Sequence, residues 1–510
     1  MQTFNRHEHL LSLLVPAFFL VVFALVSQPF MYPGFDIWTH LALISFEDDA
    51  TTTWHILWKT IFEWAEVEGP FLRAKWVHST QIMLMGGLLF FAARWLLQMA
   101  MAGCVVRRSA LNLAAWLAVL VWVLMHGTQS TAVNADTPVW YGWLQWYSVN
   151  YQIALAFYVF GTAALLFAFF GSPLHPTGFR AWPYGLAAGL AFVGVAVLHA
   201  AELPYVLFAV LLMGVLWMRW SWRWYYLAGV IGIFLVSVMG LQFSYRLPTG
   251  LLVLMQDGPG ALLLQIQING QRLVDGLNRG NASWNYWYWV TCYLTALSAW
   301  WVWRQPALAQ RDQRIRVILW LLLSALPAAM LHFKWTAGLL AMITYPELAW
   351  RFTFSSFLFL GPSIFFLLIA HHGQRALHVG VMLGLSASLI LGVLLTSRAA
   401  EKQSVSYLYA RGLVYSLDPK PMRFGLDPAQ AAWLDQVHLQ LIKEPPARLL
   451  CTDMFTSYYL FFVKGYEQVV LPWRIGRFID SKRFEGKCKF PKDGGTWLGD
   501  QKLAPTPWAF

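Results

Sequence analysis

Apolar residues run along this chain in long unbroken stretches rather than in strand-like alternation. A helix rising 1.5 Å per residue needs about 20 mostly apolar residues to cross a bilayer. Such stretches fall at roughly 10–28, 80–101, 109–126, 150–171, 183–200, 203–218, 224–243, 285–303, 315–333, 352–370 and 376–396, which predicts eleven spans. The first follows Arg6 in the manner of a secretory leader, but Ser27-Gln28-Pro29-Phe30 makes a poor cleavage site, so a retained helix is expected. From Thr51 to Val77, Trp, Ile, Leu and Phe interleave with Lys59, Glu63, Glu66 and Glu68, the pattern of a helix lying on a membrane surface. Beyond about residue 397 the chain becomes charged and proline-punctuated. A helical stretch at Pro428–Ile442 is followed by strand-like runs at Arg448–Thr452 and Gln468–Pro472. No internal repeat is visible, which argues against an inverted-repeat transporter. The expected fold is a polytopic α-helical membrane protein of about 11 transmembrane helices over 1–397, with a small C-terminal soluble α/β domain over 398–510.

Composition narrows the class. Of 510 residues, 58% are hydrophobic and 12% charged, against about 25% charged in soluble domains. That excludes a cytosolic enzyme, a disordered chain and a secreted disulfide scaffold. The net charge of +11 reports orientation first. With the N-terminus inside, the inner segments carry Arg6, Arg107, Arg108, Arg180, Arg219, Arg223, Arg304, Arg311, Arg314, Arg316 and Arg375 against only Glu8 and Asp312. The loop from Gly127 to Val149 has no Lys or Arg. The N-terminus is therefore expected inside and the C-terminus outside, with external loops at 29–79, 127–149 and 244–284 and a short one around Tyr345–Arg351. No basic-aromatic stripe suggests nucleic acid. Cys451 and Cys488 both fall in the external region, where a disulfide is plausible, while Cys104 and Cys292 are expected free.

The few carboxylates carry the candidate chemistry. Asp36 follows the first span in Pro33-Gly34-Phe35-Asp36-Ile37-Trp38-Thr39-His40-Leu41. On a helix His40 lies one turn on, and Glu47 returns to nearly the same face. Two carboxylates and an imidazole would then share one face, although Asp36 also suits a plain helix cap. Asp136 is the only acid of its loop and is open to the same two readings. His199 and Glu202 sit between two spans with almost no loop; ionisable groups there face a cavity or a partner, or bond each other to hold the hairpin. Glu347 and Arg351, in Tyr345-Pro346-Glu347-Leu348-Ala349-Trp350-Arg351, are spaced for a local salt bridge. Arg351 also opens an apolar span, where its planar fork suits a phosphate, and Lys334 with His332 could add to that site.

Together these features resemble the GT-C class of integral membrane glycosyltransferases. Asp36 with His40-Leu41 looks like the acid motif of their first external loop, and Asp136 falls where a second acid is expected. The run Thr452-Asp453-Met454-Phe455-Thr456-Ser457-Tyr458-Tyr459-Leu460, with Gly465-Tyr466 and Val469-Val470 after it, resembles the soluble-domain pattern of bacterial members. The resemblance implies a bacterial inner-membrane enzyme with a periplasmic C-terminal domain. Its donor would be a polyprenyl-phosphate-linked sugar in the lipid bilayer, its acceptor a glycan, lipid or protein. Asp36 would act as general base with Asp136 as second catalytic acid. Arg351, helped by Lys334, would hold the donor phosphate, and His40, Glu47, His199, Glu202, Tyr345 and Glu347 would line the substrate site. The first loop has no Asp-x-Asp, so a divalent metal, Mg or Mn, stays open. Three other readings remain. An O-antigen polymerase or ligase type would use Arg246, Arg272 and Arg279; a transporter would show mid-span polar groups; and in a structural subunit of a surface-polymer export complex the acids would serve only as caps.

Overall fold

The structure is a computed structural model that describes residues 2–26, 53–104, 106–126, 129–130, 140–141, 150–170, 182–198, 202–216, 249–280, 282–304, 311–343 and 349–372, with short pieces between 435 and 505. In chain order its helices are α1 (Gln2–Val26), α2 (Thr53–Trp64), α3 (Pro70–Ala100), α4 (Arg108–His126), α5 (Asn150–Phe170), α6 (Trp182–Leu198) and α7 (Leu203–Leu216). They continue with α8 (Thr249–Gly280), α9 (Ala282–Trp303), α10 (Arg311–Ser324), α11 (Leu326–Met330), α12 (Lys334–Ile343) and α13 (Gly361–His372). Among the described residues, three helical stretches are long and apolar enough to cross a membrane: Leu72–Ala100, Thr249–Asp275 and Arg311–Met330. Shorter apolar helices accompany them at His7–Val22, Arg108–Val123, Ile153–Ala168, Pro183–Leu198, Leu203–Leu216 and Leu358–His371. This is the helical architecture of a membrane protein. The apolar runs at 224–243 and 376–396 lie outside the described residues.

The chain divides into two compact units, Met1–Val22 with Gln81–Gln403, and Phe23–Thr80 with Ser404–Phe510. The first loop thus groups with the C-terminal region instead of with the remaining helices.

In the first unit, lipid-like surroundings give helices little hydrophobic reason to associate, so close backbone approach at small residues matters. Helices α5 and α6 pack reciprocally in this way: a Cβ on Gly161 would meet the Phe192 ring at 2.8 Å, and one on Gly194 the Phe157 ring at 3.1 Å. Helices α8 and α12 approach still closer, Gly270 against the Lys334 carbonyl and Gly338 against the Ile266 carbonyl.

Two expectations are corrected here. The segment 244–284, expected as a loop, is mostly helix α8. Its punctuation, Asp257-Gly258-Pro259-Gly260, does not end the helix but kinks it. Gly258 takes φ +82°, which only glycine adopts freely, and Pro259 restarts the helix without an N–H to satisfy. Conversely, 352–370 is not one continuous span. Ala349–Ser355 and Leu358–Leu360 are 3-10 turns, and α-helix begins only at Gly361. Serines compete for the backbone there: Ser355 Oγ donates to the Phe352 carbonyl at 2.8 Å, and the Leu358 amide donates to Ser356 Oγ at 3.1 Å.

In the second unit, α2 is the amphipathic stretch expected near the membrane surface. Trp54, His55, Trp58 and Phe62 are buried, while Ile56, Leu57 and Trp64 are exposed. Arg73 Nε donates to the Val67 carbonyl at 2.9 Å, and its guanidinium lies 5.8 Å from the Phe62 ring, closing the turn between α2 and α3. Farther along, β3 (Leu449–Leu450) pairs in parallel with β4 (Val469–Val470), within the two runs read as strands. Strands β5 (Gly495–Leu498) and β6 (Gln501–Pro505) form an antiparallel hairpin. In the first unit, β1 (Gln129–Ser130) pairs with β2 (Trp140–Tyr141).

Candidate functional site

Glu202 and Arg351, far apart in sequence, meet inside the first unit. Glu202 lies between α6 and α7, Arg351 in the 3-10 turn Ala349–Ser355, and both are buried. Arg351 Nη1 stands 3.8 Å from Glu202 Oε1. That is an ion pair, but it is longer than a charge-assisted hydrogen bond of about 2.7–2.9 Å.

Aromatic rings wall this pair. Tyr205, one turn into α7, is within electrostatic reach of both charges and packs edge-on against Phe352 at 5.0 Å. Tyr158 of α5 meets Tyr205 at 5.9 Å and Phe357 at 5.5 Å, and its hydroxyl donates to the Ser355 carbonyl at 3.0 Å. Phe357 in turn packs on Trp320 of α10 at 4.7 Å, and its amide donates to Ser324 Oγ at 3.0 Å. The turn that carries Arg351 is therefore tied to α5 and α7, and the residues just after it to α10. An arginine on a regular helix would point where the helix dictates. Here the side-chain ties fix the direction.

A carboxylate and a guanidinium shielded from water interact strongly, yet each also carries a large desolvation penalty. At 3.8 Å the pair is an ion pair without a charge-assisted hydrogen bond between Arg351 Nη1 and Glu202 Oε1. What the arrangement offers chemically is a buried cation beside a carboxylate.

Of the expected site residues, the structure brings together Glu202 and Arg351. Lys334 starts α12, and its ammonium lies 5.7 Å over the ring of its neighbour Trp335. His332 packs against Tyr288 at 5.6 Å and Trp289 at 5.8 Å. Asp36, His40, Glu47, Asp136, His199, Tyr345 and Glu347 lie outside the described residues. Sequence reasoning matched Glu202 with His199 and Arg351 with Glu347 because only near neighbours can be paired from spacing. It missed Tyr158, Tyr205, Phe352 and Ser355, which carry no signal apart from Tyr205 standing three residues after Glu202. Among the described residues no three His, Cys, Asp or Glu side chains stand together in a way that could hold a metal ion. No protein-family model, curated protein or solved structure matches the chain.

Proposed function

We propose that this protein is a membrane glycosyltransferase of GT-C type that moves a sugar from a polyprenyl-phosphate donor to an acceptor on the external side. The observation that carries the reading is the buried Glu202–Arg351 pair, held beyond hydrogen-bond length inside an aromatic wall. An enzyme whose leaving group is a lipid phosphate needs a cation that is sheltered from water and compensated while the site is empty. Arg351 meets that need, and Glu202 is the compensating carboxylate. Flat aromatic walls also suit the apolar faces of a sugar or an isoprenoid.

In the proposed reaction the Asp36 carboxylate takes the acceptor hydroxyl's proton. The freed oxygen attacks the anomeric carbon, and the bond from that carbon to the phosphate oxygen breaks. The phosphate leaves with the electron pair and is held by Arg351. Asp136 orients donor or acceptor. A membrane domain of about eleven crossings, with 244–284 and 352–370 revised as above, the inside N-terminus and the periplasmic α/β domain belong to the same proposal. Its support is the arginine bias of one set of connections, and the grouping of Phe23–Thr80 with Ser404–Phe510, both expected outside.

Mass spectrometry of lipid co-purified with the full chain tests class and donor together. A polyprenyl-phosphate sugar is expected in the wild type, with most of it lost in Arg351→Lys, because a point charge cannot replace the planar fork. Asp36→Asn is expected to keep the bound donor and to lower transfer at least a hundredfold, in line with a general-base contribution of about 10²–10⁴. A chain that retains no polyprenyl lipid, or an Asp36→Asn variant with near-normal transfer, overturns the proposal.

A further inference from the structure

Helix α3 carries a charge that its apolar surroundings do not explain. Arg94 lies within the stretch Leu72–Ala100, beside the buried Leu96 and Leu97, with its own side chain half-buried. Its Nε donates to Asn112 Oδ1 of α4 at 3.1 Å. Asn112, itself buried, bonds through Nδ2 to His9 Nδ1 and to Ser12 Oγ of α1, each at 3.1 Å. Ser12 Oγ donates onward to the His9 carbonyl at 2.8 Å. Residues of three helices thus fix one edge of the Arg94 guanidinium. Among the described residues its two Nη groups make no hydrogen bond.

Besides the Tyr184 phenol, a like charge stands near Arg94. Arg108, exposed in the first turn of α4, stands within repulsive range of Arg94. That first turn contains no acidic residue. A cation at a helix N-terminus opposes the helix dipole, and the free amides there favour an anion. Among the described residues no ion pair joins either arginine to a carboxylate. Two guanidinium groups thus stand within repulsive range of each other, one of them in the first turn of a helix, and neither has a carboxylate partner among the described residues.

We propose that Arg94 and Arg108 together bind a phosphate group, as the headgroup of an anionic lipid or as free phosphate. A phosphate offers oxygens to both forks and relieves their repulsion. The site is separate from the Glu202–Arg351 pair. Trp95, next to Arg94, packs on Tyr184 at 5.4 Å near the start of α6, whereas Glu202 follows the end of that helix. At 1.5 Å per residue the two lie about 20 Å apart along α6. The proposal thus stands independently of the glycosyltransferase reading.

The test uses the full chain in detergent with added phosphatidylglycerol, and native mass spectrometry to count retained lipid. The wild type is expected to hold one phosphatidylglycerol. Arg94→Gln and Arg108→Gln are each expected to lose about tenfold in occupancy, while Arg107→Gln, exposed and adjacent, keeps it. Because Arg108 is exposed, its variant tests the site even if Arg94→Gln folds poorly. Inorganic phosphate that displaces the lipid at millimolar concentration, or protects the fold of wild type but not of Arg108→Gln, marks a free-phosphate site; no such effect marks a lipid headgroup. Equal retention in wild type and both Arg94→Gln and Arg108→Gln, or equal loss in Arg107→Gln, overturns the proposal.

Discussion

Just past α6 a guanidinium is buried beside a carboxylate; around the ends of α3 and α9, the arginine end, guanidinium groups turn to carbonyls, an amide and ring faces. Arg314 Nε donates to the Ala102 carbonyl just past α3, and Arg311 Nη2 donates to the Trp303 carbonyl at the end of α9, at 2.9 Å. Arg304 lies 5.5 Å from the Trp300 ring and 5.8 Å from the Trp303 ring. Arg314 and Arg311 each give a bond to a carbonyl at the C-terminal end of a helix, where cations are favourable, although both Nη groups of the buried Arg314 are left without a hydrogen bond. Arg94 and Arg108 differ from them, since they lie within repulsive range of each other and Arg108 stands in the first turn of a helix. The contrast teaches how to read a charge in an apolar helical unit. On the two proposals above, the buried pair is kept neutral until a ligand displaces one partner, whereas the arginines without a carboxylate partner take their anion from outside.

The largest expected effect breaks the compensated end. Glu202→Leu removes the carboxylate beside the buried Arg351, and losing one partner of a buried pair costs about 3–5 kcal/mol. The double variant Glu202→Leu/Arg351→Met is expected to recover most of that loss, since replacing both charges by apolar groups is often neutral or stabilising. Denaturant unfolding in detergent measures both. A single variant as stable as the wild type would show that Glu202 does not compensate Arg351. Donor lipid should be lost in the double variant even where stability returns, which separates binding from folding.

Tyr158→Phe comes next. It keeps the ring against Tyr205 and Phe357 but leaves the Ser355 carbonyl without the Tyr158 hydroxyl. A buried acceptor left unsatisfied costs about 1–3 kcal/mol. The loosened turn should also weaken retention of donor lipid with little change in any step after binding. If stability falls and lipid retention does not, Tyr158 supports the fold alone.

How much of this was legible in the sequence follows from the range of each interaction. Apolar run length foretold a helical membrane protein, because crossing a bilayer is a local demand on about 20 residues. Amphipathic α2 was equally local. The helix α8 was hidden because Asp257-Gly258-Pro259-Gly260 reads as a loop when nothing shows the helix resuming after its kink. The break at Ala349–Ser355 was hidden because serine–backbone bonds override an apolar run. Glu202 and Arg351 were each legible as costly charges, but their pairing depends on the packing of α5, α7 and α10. Arg94 escaped notice as a single arginine in an otherwise apolar stretch, and only the approach of α1 and α4 gives it a setting.

At the arginine end, Arg94→Met tests the contrast by its smallness. No carboxylate is stranded among the described residues, and the loss amounts to one hydrogen bond to Asn112, about 1 kcal/mol. In the same unfolding assay it should cost a fraction of what Glu202→Leu costs. A loss of several kcal/mol would mean that Arg94 compensates a buried charge, and the two ends would then be alike.

The smallest effect uses Cys104 as a reporter of the same arginine end. This free thiol follows α3 and is half-buried beside Arg314. Burial pushes its titration up from the ordinary thiol range, while the Arg314 guanidinium, by its charge and a hydrogen bond, pulls it down by less. Only the thiolate is alkylated, so in a chain whose other cysteines are replaced, modification at pH 8 should be slower than that of an exposed peptide thiol. It should accelerate only as pH rises past the usual thiol range. Arg314→Gln removes the opposing pull, raises the thiol further and should slow alkylation again, by less than tenfold. Faster alkylation in Arg314→Gln would mean that Arg314 shields Cys104 from the reagent more than it stabilises the thiolate. The electrostatic reading of this end would then give way to a steric one.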